Sequence, residues 1–463
     1  MASPRRERSN FVCLRPQKMI VFTKAKSKMN NIIGIRHEDK YLLERRVAIP
    51  PAIAKDLIEK GLQIYVESSE KRIFKDDEFT KAGATVTDSL ANCPVIFGVK
   101  EMPINFFEEK KTYIFFSHVI KGQSYNMPML RKMMEKRCNL IEYEKIADDS
   151  GKRLIFFGRF AGLAGMINSL WSMGQRMSVL GLETPFTSIQ QSYRYNSLAD
   201  AESAVKEVGE IIRTKGLPNE LAPFTIGITG YGNVSKGAQH IADLLPTIEI
   251  TPEDLLDLKK SGKYSNKKVY KIIFKEEDLS EPIDTSRKFN LSDYYNHPEK
   301  YKNQFEKYPE HLTILMNCMY WDDNYPRILT KDFVEEIYKN DSSKLKVVGD
   351  VTCDPDGSIE FTHKGTVIQD PVFVYDPVNR KPTMGFEGDG ITVMAVDILP
   401  SELPRESSEG FGDALHRFIP AIASADYGQD FESLKLPAEI KRALILHQGK
   451  LTPDYQYIEE YLK

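Results

Sequence analysis

At 463 residues the chain is long enough for two to three domains of ordinary size. Its 41% hydrophobic and 28% charged residues are those of a globular protein. Its net charge of -3 gives no global pull toward nucleic acid or a membrane, and its apolar runs fall well short of the roughly 20 residues that span a bilayer. Five widely spaced cysteines (Cys13, Cys93, Cys138, Cys318, Cys353) form no Cys-x-x-Cys pair, and the eight histidines show no ligand spacing. That argues against a disulfide framework and against a metal site, and for a reducing compartment.

Residues 1–30 carry eight Lys/Arg and one acid, Glu7. Such a leader suits a mitochondrial transit peptide, which would place the protein in the matrix, or a disordered terminus on a cytoplasmic one. It is set aside from the fold. From residue 31 the text turns regular. "NIIGI" reads as a strand and "PPAIAKDLIEKG" as a helix opened by proline and stopped by Gly61. "LQIYVES", "DDEFTKAGA", "PVIFGV", "KTYIFFSHV", "NMPMLRKMMEKR" and "NLIEYE" continue the alternation of strand and helix, and "RLIFFG" reads as a further strand. Such alternation implies parallel sheets with crossover helices.

"AGLAGMINSLWSMGQRMSVLG" has helical spacing and suits a rigid link between two domains. "FTIGITGYGNVSKGAQHIADLLP" is the strongest local signal: a buried strand, a glycine turn and a helix, as at the start of a dinucleotide-binding unit. Gly230 allows the turn, and Gly232 lets backbone N–H groups approach a pyrophosphate. Ser235 stands where the third glycine would be. A sharp strand–helix turn with no ligand is the alternative. "TIEIT" reads as the next strand; it lacks the terminal acid that would hold a ribose 2′-hydroxyl, which favours NADP over NAD. Residues 254–308 read as a polar surface insertion, followed by the strands "HLTILMNCMYW", "KLKVVGDVTC" and "GDGITVMAVDILP". Asp350 ends the second of these. Two helices close the chain.

Lys100 and His118 end two short apolar runs. In an open parallel sheet ligands sit beyond the strands' C-terminal ends, so neighbouring strands would bring this pair together for acid–base work. Two solvated strand ends are the alternative. Arg46, Glu144 and Arg153 sit in comparable places. Two arginines suit a substrate with several carboxylates, and a glutamate beside Lys100 would tune its titration.

The stretches "ERRVAIPP", "GVKEMP", "FFSHVIKGQ", "LIEYEKIADDSGKRLIFFGRFAGLAGMI", "TGYGNVSKGAQ", "YWDDNYPRILT", "DVTCDPDGSIEF" and "DILPSELPRESSEGFGDAL" closely resemble the lysine–ketoglutarate reductase domain of the alpha-aminoadipic semialdehyde synthases. They are also similar to saccharopine dehydrogenases and, more distantly, to alanine dehydrogenase. The resemblance implies an α/β fold of two Rossmann-like domains with parallel sheets and the active site in the cleft between them. The substrate domain would comprise residues 31–156 plus 396–463, and the dinucleotide domain 157–395. It implies an NADP-dependent oxidoreductase acting on CH–NH, which condenses L-lysine with 2-oxoglutarate to saccharopine using NADPH, with NAD a lesser expectation. Lys100 and His118 match the acid–base pair, and Glu101 and Glu144 match acids that tune it. Arg46, Arg153 and Phe157 match substrate-contacting positions. Gly230, Gly232, Asn233, Val234, Asp350, Val351 and Thr352 match cofactor-contacting ones. A separate glutamate-forming dehydrogenase would consume the product, since that second domain of the synthases is not expected here. A homo-oligomer is compatible with this. Two other readings remain open: an alanine dehydrogenase-like enzyme acting on pyruvate and ammonia, and a catalytically silent nucleotide-binding regulator.

Overall fold

The structure, a computed structural model, describes residues 31–340 and 343–463; the basic leader lies outside the described residues. Strands β1 (Ile32–Ile35), β2 (Gln63–Glu67), β3 (Thr85–Thr87), β4 (Val95–Phe97), β5 (Thr112–Phe115) and β6 (Asn139–Glu142) come from the first third of the chain. They alternate with helices α1 (Pro51–Glu59), α2 (Asp76–Lys81) and α3 (Met127–Glu135). Proline at the start of α1 and α3 fits a position whose N–H has no intrahelical partner.

A second group follows: β7 (Phe224–Thr229), β8 (Thr247–Glu249), β9 (Val269–Phe274), β10 (Ser280–Pro282), β11 (Tyr301–Asn303), β12 (Ile314–Asn317), β13 (Val347–Asp350), β14 (Val372–Asp376), β15 (Lys381–Met384) and β16 (Ile391–Met394). The chain ends with β17 (Leu444–His447) and β18 (Lys450–Leu451). The first sheet runs β18-β17-β6-β5-β4-β1-β2-β3 and the second β15-β14-β16-β13-β12-β7-β9-β8; β10 and β11 form a small ribbon apart. Both large sheets are parallel except at one edge, where β17 and β18, or β14 and β15, run antiparallel. Strand order reverses between β1 and β4 in one sheet and between β7 and β12 in the other. Such switch points open the crevices in which α/β proteins hold ligands.

Three expected elements differ. The second closing helix, "PAEIKRALILHQG", is helical only over Ala438–Arg442, and its "LILH" is strand β17, paired with β6. "RLIFFG" is no strand. Arg153 forms a single bridge to Ala147, and Ile155 and Phe157 are buried on an irregular segment that enters the long helix α4 (Gly158–Val179). Residues 254–308 are not only a surface insertion, because they contain β9, which is buried and pairs directly with β7. The edge strand β8, "TIE", therefore does not neighbour β7, and the inference from its missing terminal acid falls.

Helix α4 joins the two halves. After α5 (Leu198–Lys215) and β7, it packs against α6 (Asn233–Ala242) with almost no separation. A Cβ placed on Gly162 would stand 1.8 Å from the Val234 carbonyl oxygen, and one on Gly237 2.1 Å from that of Arg159. Gly237 thus gives the close approach that the fingerprint assigns to its third glycine, while Ser235 is simply buried. The C-terminal part returns to the first half. The helix Pro404–His416 brings Phe411 onto Phe157, with ring centroids 4.5 Å apart and planes 10° from parallel, and Ser408 Oγ accepts the Val47 N–H at 3.0 Å.

Candidate active site

Strands β4 and β5 are neighbours in register, Phe97 beside Ile114, and the pairing runs on past their ends as the Phe116 N–H donates to the Val99 carbonyl at 3.0 Å. Lys100 and His118 therefore leave the same edge of the sheet. The Val99 and Lys100 amides both donate to the buried Glu38 carboxyl, at 2.7 and 2.8 Å. Burial pushes Glu38 up to about 7. The Lys100 ammonium makes no hydrogen bond or ion pair among the described residues, and its nearest aromatic face is Tyr41, 6.0 Å from the ring centre. Burial lowers its pKa from the ordinary 10.5, and the Arg46 charge adds to the effect.

His118 has φ 51°, a left-handed conformation that costs a non-glycine residue roughly 1–3 kcal/mol. Glu142, at the end of β6, accepts the amides of Ser117 (2.8 Å) and His118 (3.2 Å) and so holds that turn. The ring Nδ1 lies 2.8 Å from Glu101 Oε1, which also takes Lys40 Nζ at 2.6 Å. Burial works against ionisation of Glu101, but the contacts from His118 and Lys40 prevail and hold its carboxyl at about 2. With Nδ1 bound to a carboxylate, Nε2 is the nitrogen left for proton exchange.

The arginines are pre-set. Arg46 is bidentate on the buried Glu44 (Nε to Oε1 2.8 Å, Nη2 to Oε2 2.5 Å) and lies 4.2 Å over the Phe157 ring, leaving Nη1 as its free corner. Arg153 donates from Nε to the Ile155 carbonyl at 2.8 Å and lies 5.3 Å over Phe116. Glu144, in the turn after β6, pairs with Arg153 at 3.4 Å and shares the cleft with Lys100 and His118. Arg46, Lys100, His118, Glu144, Arg153 and Phe157 line one cleft of about 290 Å³, which Asp397 and Ile398 close from the returning chain.

The glycine turn adjoins it: a Cβ on Gly158, which lines this cleft, would stand 3.4 Å from Val234. Gly230 has φ 77°, and a Cβ there would meet Met319 at 2.9 Å. Gly232 caps the N-terminus of the ten-residue helix α6, and nothing lies within 4 Å of where its Cβ would stand. Open space in front of the unpaired N-terminal amides of a helix is what a pyrophosphate requires, so the residues fit a nicotinamide dinucleotide. Asn233 and Val234 form the first turn, and Val234, Val351 and Thr352 line a larger cleft of about 630 Å³. Asp350 does not reach it. It is fully buried at the end of β13, with its carboxylate taken by Asn317 (2.9 Å), Thr352 (2.7 Å) and Thr362 (2.6 Å). Its carboxylate holds Thr352, which does line that cleft. Among the described residues no cluster of His, Cys, Asp or Glu could hold a metal, and no helix is long and apolar enough to cross a membrane.

The alanine dehydrogenase/PNT N-terminal domain family matches residues 34–164. An L-alanine dehydrogenase structure is similar over 93% of this chain and 100% of its own, with TM-score 0.56 at 16% identity. The alpha-aminoadipic semialdehyde synthase of Arabidopsis thaliana is 39% identical over 94% of this chain and 42% of its own length, and the mouse mitochondrial one 33% identical over 93% and 48%. The chain is a relative of the alpha-aminoadipic semialdehyde synthases. It spans about half their length. A saccharopine dehydrogenase [NAD(+), L-lysine-forming] of Emericella nidulans is 28% identical over 83% of this chain and 90% of its own. The fold is that of alanine dehydrogenase, two Rossmann-like α/β halves.

Sequence reasoning missed Glu38, Lys40, Glu44, Glu142 and Asp397. The first three crowd into "RHEDKYLLERR", a segment between β1 and α1 with no regular period. Its density of charge was the available signal, and that alone does not distinguish a buried network from a solvated loop.

Proposed function

We propose that this chain is a lysine–ketoglutarate reductase, an oxidoreductase that joins the ε-amine of L-lysine to the keto carbon of 2-oxoglutarate and yields saccharopine. The observation that carries this reading is the convergence of Lys100, His118 and two arginines in one cleft, whose Gly158 packs against Val234 in the first turn after the glycine loop. The free corner of Arg46 and the guanidinium of Arg153 bind substrate carboxylates, and their stacking on Phe157 and Phe116 fixes their planes. His118 Nε2 takes the proton that the amine loses on attacking the keto carbon. Lys100, whose lowered pKa eases proton release, delivers a proton to the departing hydroxyl so that it leaves as water. The aromatic wall of Phe116 and Phe157 keeps bulk water from the resulting imine. When bound, a reduced nicotinamide dinucleotide supplies the hydride that reduces it. Gly230, Gly232, Asn233 and Val234 would hold its pyrophosphate, and Val351 and Thr352 the inner end. The resemblance favours NADPH; an acid beside the glycine turn, Glu276, opposes it.

Residues 31–156 plus 396–463 act as the substrate domain and 157–395 as the dinucleotide domain. The basic leader, together with the mitochondrial naming of the mammalian relatives, supports a place in the matrix.

The test is loss of reduced-nucleotide absorbance with lysine and 2-oxoglutarate, run with NADPH and NADH. Oxidation should require both substrates and fall by about 10²-fold or more in Lys100→Met and His118→Ala. Oxidation with pyruvate and ammonia instead would move the protein to the alanine dehydrogenase activity. No oxidation with any pair, in protein that still binds nucleotide, would overturn the enzymatic reading.

A further inference from the structure

In a dinucleotide-binding unit, the strand beside the first one ends at the adenosine ribose. Here that strand is β9, not the next in sequence. Thr229 pairs with Phe274, and the Gly230 N–H donates to the Phe274 carbonyl at 2.7 Å. The glycine turn is thus tied to the end of β9, and two residues further on stands Glu276. It is only 6% exposed. Together with Gly230, Gly232, Tyr231 and Tyr295 it lines a cleft of about 260 Å³. The Tyr295 hydroxyl donates to Glu276 Oε1 at 2.5 Å. Burial and the Glu276 charge raise the Tyr295 pKa, so that hydroxyl stays protonated and holds the carboxylate in place.

None of the residues lining this cleft is Lys, Arg or His. A 2′-phosphate needs a cation there, and it would meet a buried carboxylate in surroundings where like charges repel strongly. A ribose diol is what such a carboxylate accepts. Lys275 is adjacent in sequence, but it is exposed and not part of the lining.

We propose that Glu276 reads the adenosine ribose, accepting hydrogen bonds from its free hydroxyls and rejecting a 2′-phosphate, so that the chain selects NADH over NADPH. The inference rests on the dinucleotide groove described above and deepens the proposed function by naming its reductant.

The experiment is calorimetric titration of the full chain with ADP-ribose and with 2′-phospho-ADP-ribose, which need no turnover. ADP-ribose should bind about tenfold tighter or more, the size of one charge-assisted hydrogen bond. Glu276→Gln should weaken ADP-ribose about tenfold and narrow the preference, Glu276→Arg should reverse it, and Tyr295→Phe should keep its sign. The wild-type comparison alone decides the matter if a Glu276 variant fails to fold. Equal or tighter binding of the phosphorylated ligand, or a preference unchanged in Glu276→Gln, overturns the proposal, as does failure of both ligands to bind. Binding as expected without lysine-dependent oxidation would overturn the proposed reaction and leave this inference standing.

Discussion

Two carboxyls beside Lys100, Glu101 next to it in sequence and Glu38 bonded to its amide, titrate in opposite senses. Glu101 has a folded pKa of about 2, below its ordinary 4.5. Its ionisation therefore stabilises the fold above pH 4.5, and that contribution is lost as pH falls from 4.5 toward 2. Glu38 is raised to about 7 from the same 4.5. It favours the fold fully below pH 4.5, and that contribution is lost as pH rises through 7. Denaturant midpoints across pH should show the acid arm flattening in Glu101→Gln and the neutral arm flattening in Glu38→Gln; superimposable curves for wild type and variants would contradict both assignments. Lys100 and His118 were legible because strand ends in a parallel sheet are binding positions whatever the sequence around them. Glu38 and Lys40 were not, because their partners lie some sixty residues away, across a strand order that local pattern does not encode.

At the scale of elements, glycines separate packing from binding. Gly162→Ala and Gly237→Ala place a methyl against backbone between α4 and α6, and each should cost about 1–3 kcal/mol or more in unfolding measurements. Gly232→Ala has room and an ordinary φ of -76°, so its stability should stay within about 0.5 kcal/mol of wild type. Its methyl instead fills the pyrophosphate space, so its dinucleotide affinity should drop about tenfold or more; unchanged affinity would remove the loop from the groove. The long helix and the glycine turn were read correctly because periodicity and turn chemistry are local. Strand β9 was missed because Lys271 sits in its middle and breaks the apolar run. In the fold that lysine is buried with its charge answered by Asp243 at 2.7 Å and Glu249 at 3.0 Å. A strand whose polar residue is neutralised by distant partners has no signature of its own, and with β9 went the ribose acid.

At the scale of the molecule, β17 forms the far flank of β6 and so closes the first sheet with the end of the chain. The resemblance returns the end of the chain to the first half, but the strand itself was not legible: the apolar run of residues 444–447 directly follows a helical pattern and reads as part of that helix. A chain truncated after residue 443 leaves β6 with unpaired backbone donors and acceptors beside the active cleft, an open edge that invites association. Such a truncation should lose soluble monomer on size exclusion and bind no lysine. Recovery of a folded, soluble species would show that β17 is dispensable.

The same closure has a meaning in time. Synthesis proceeds from one end, so β6, finished at Glu142, waits for Leu444 before it is covered. At ordinary ribosomal speed that interval is on the order of tens of seconds. Throughout it the whole of the second sheet emerges and can fold, while the first stands half-built with a bare flank. The half that carries the glycine turn is thus fully synthesised before the half that carries Lys100 and His118, and a bystander that shelters exposed strands has its opening during that wait.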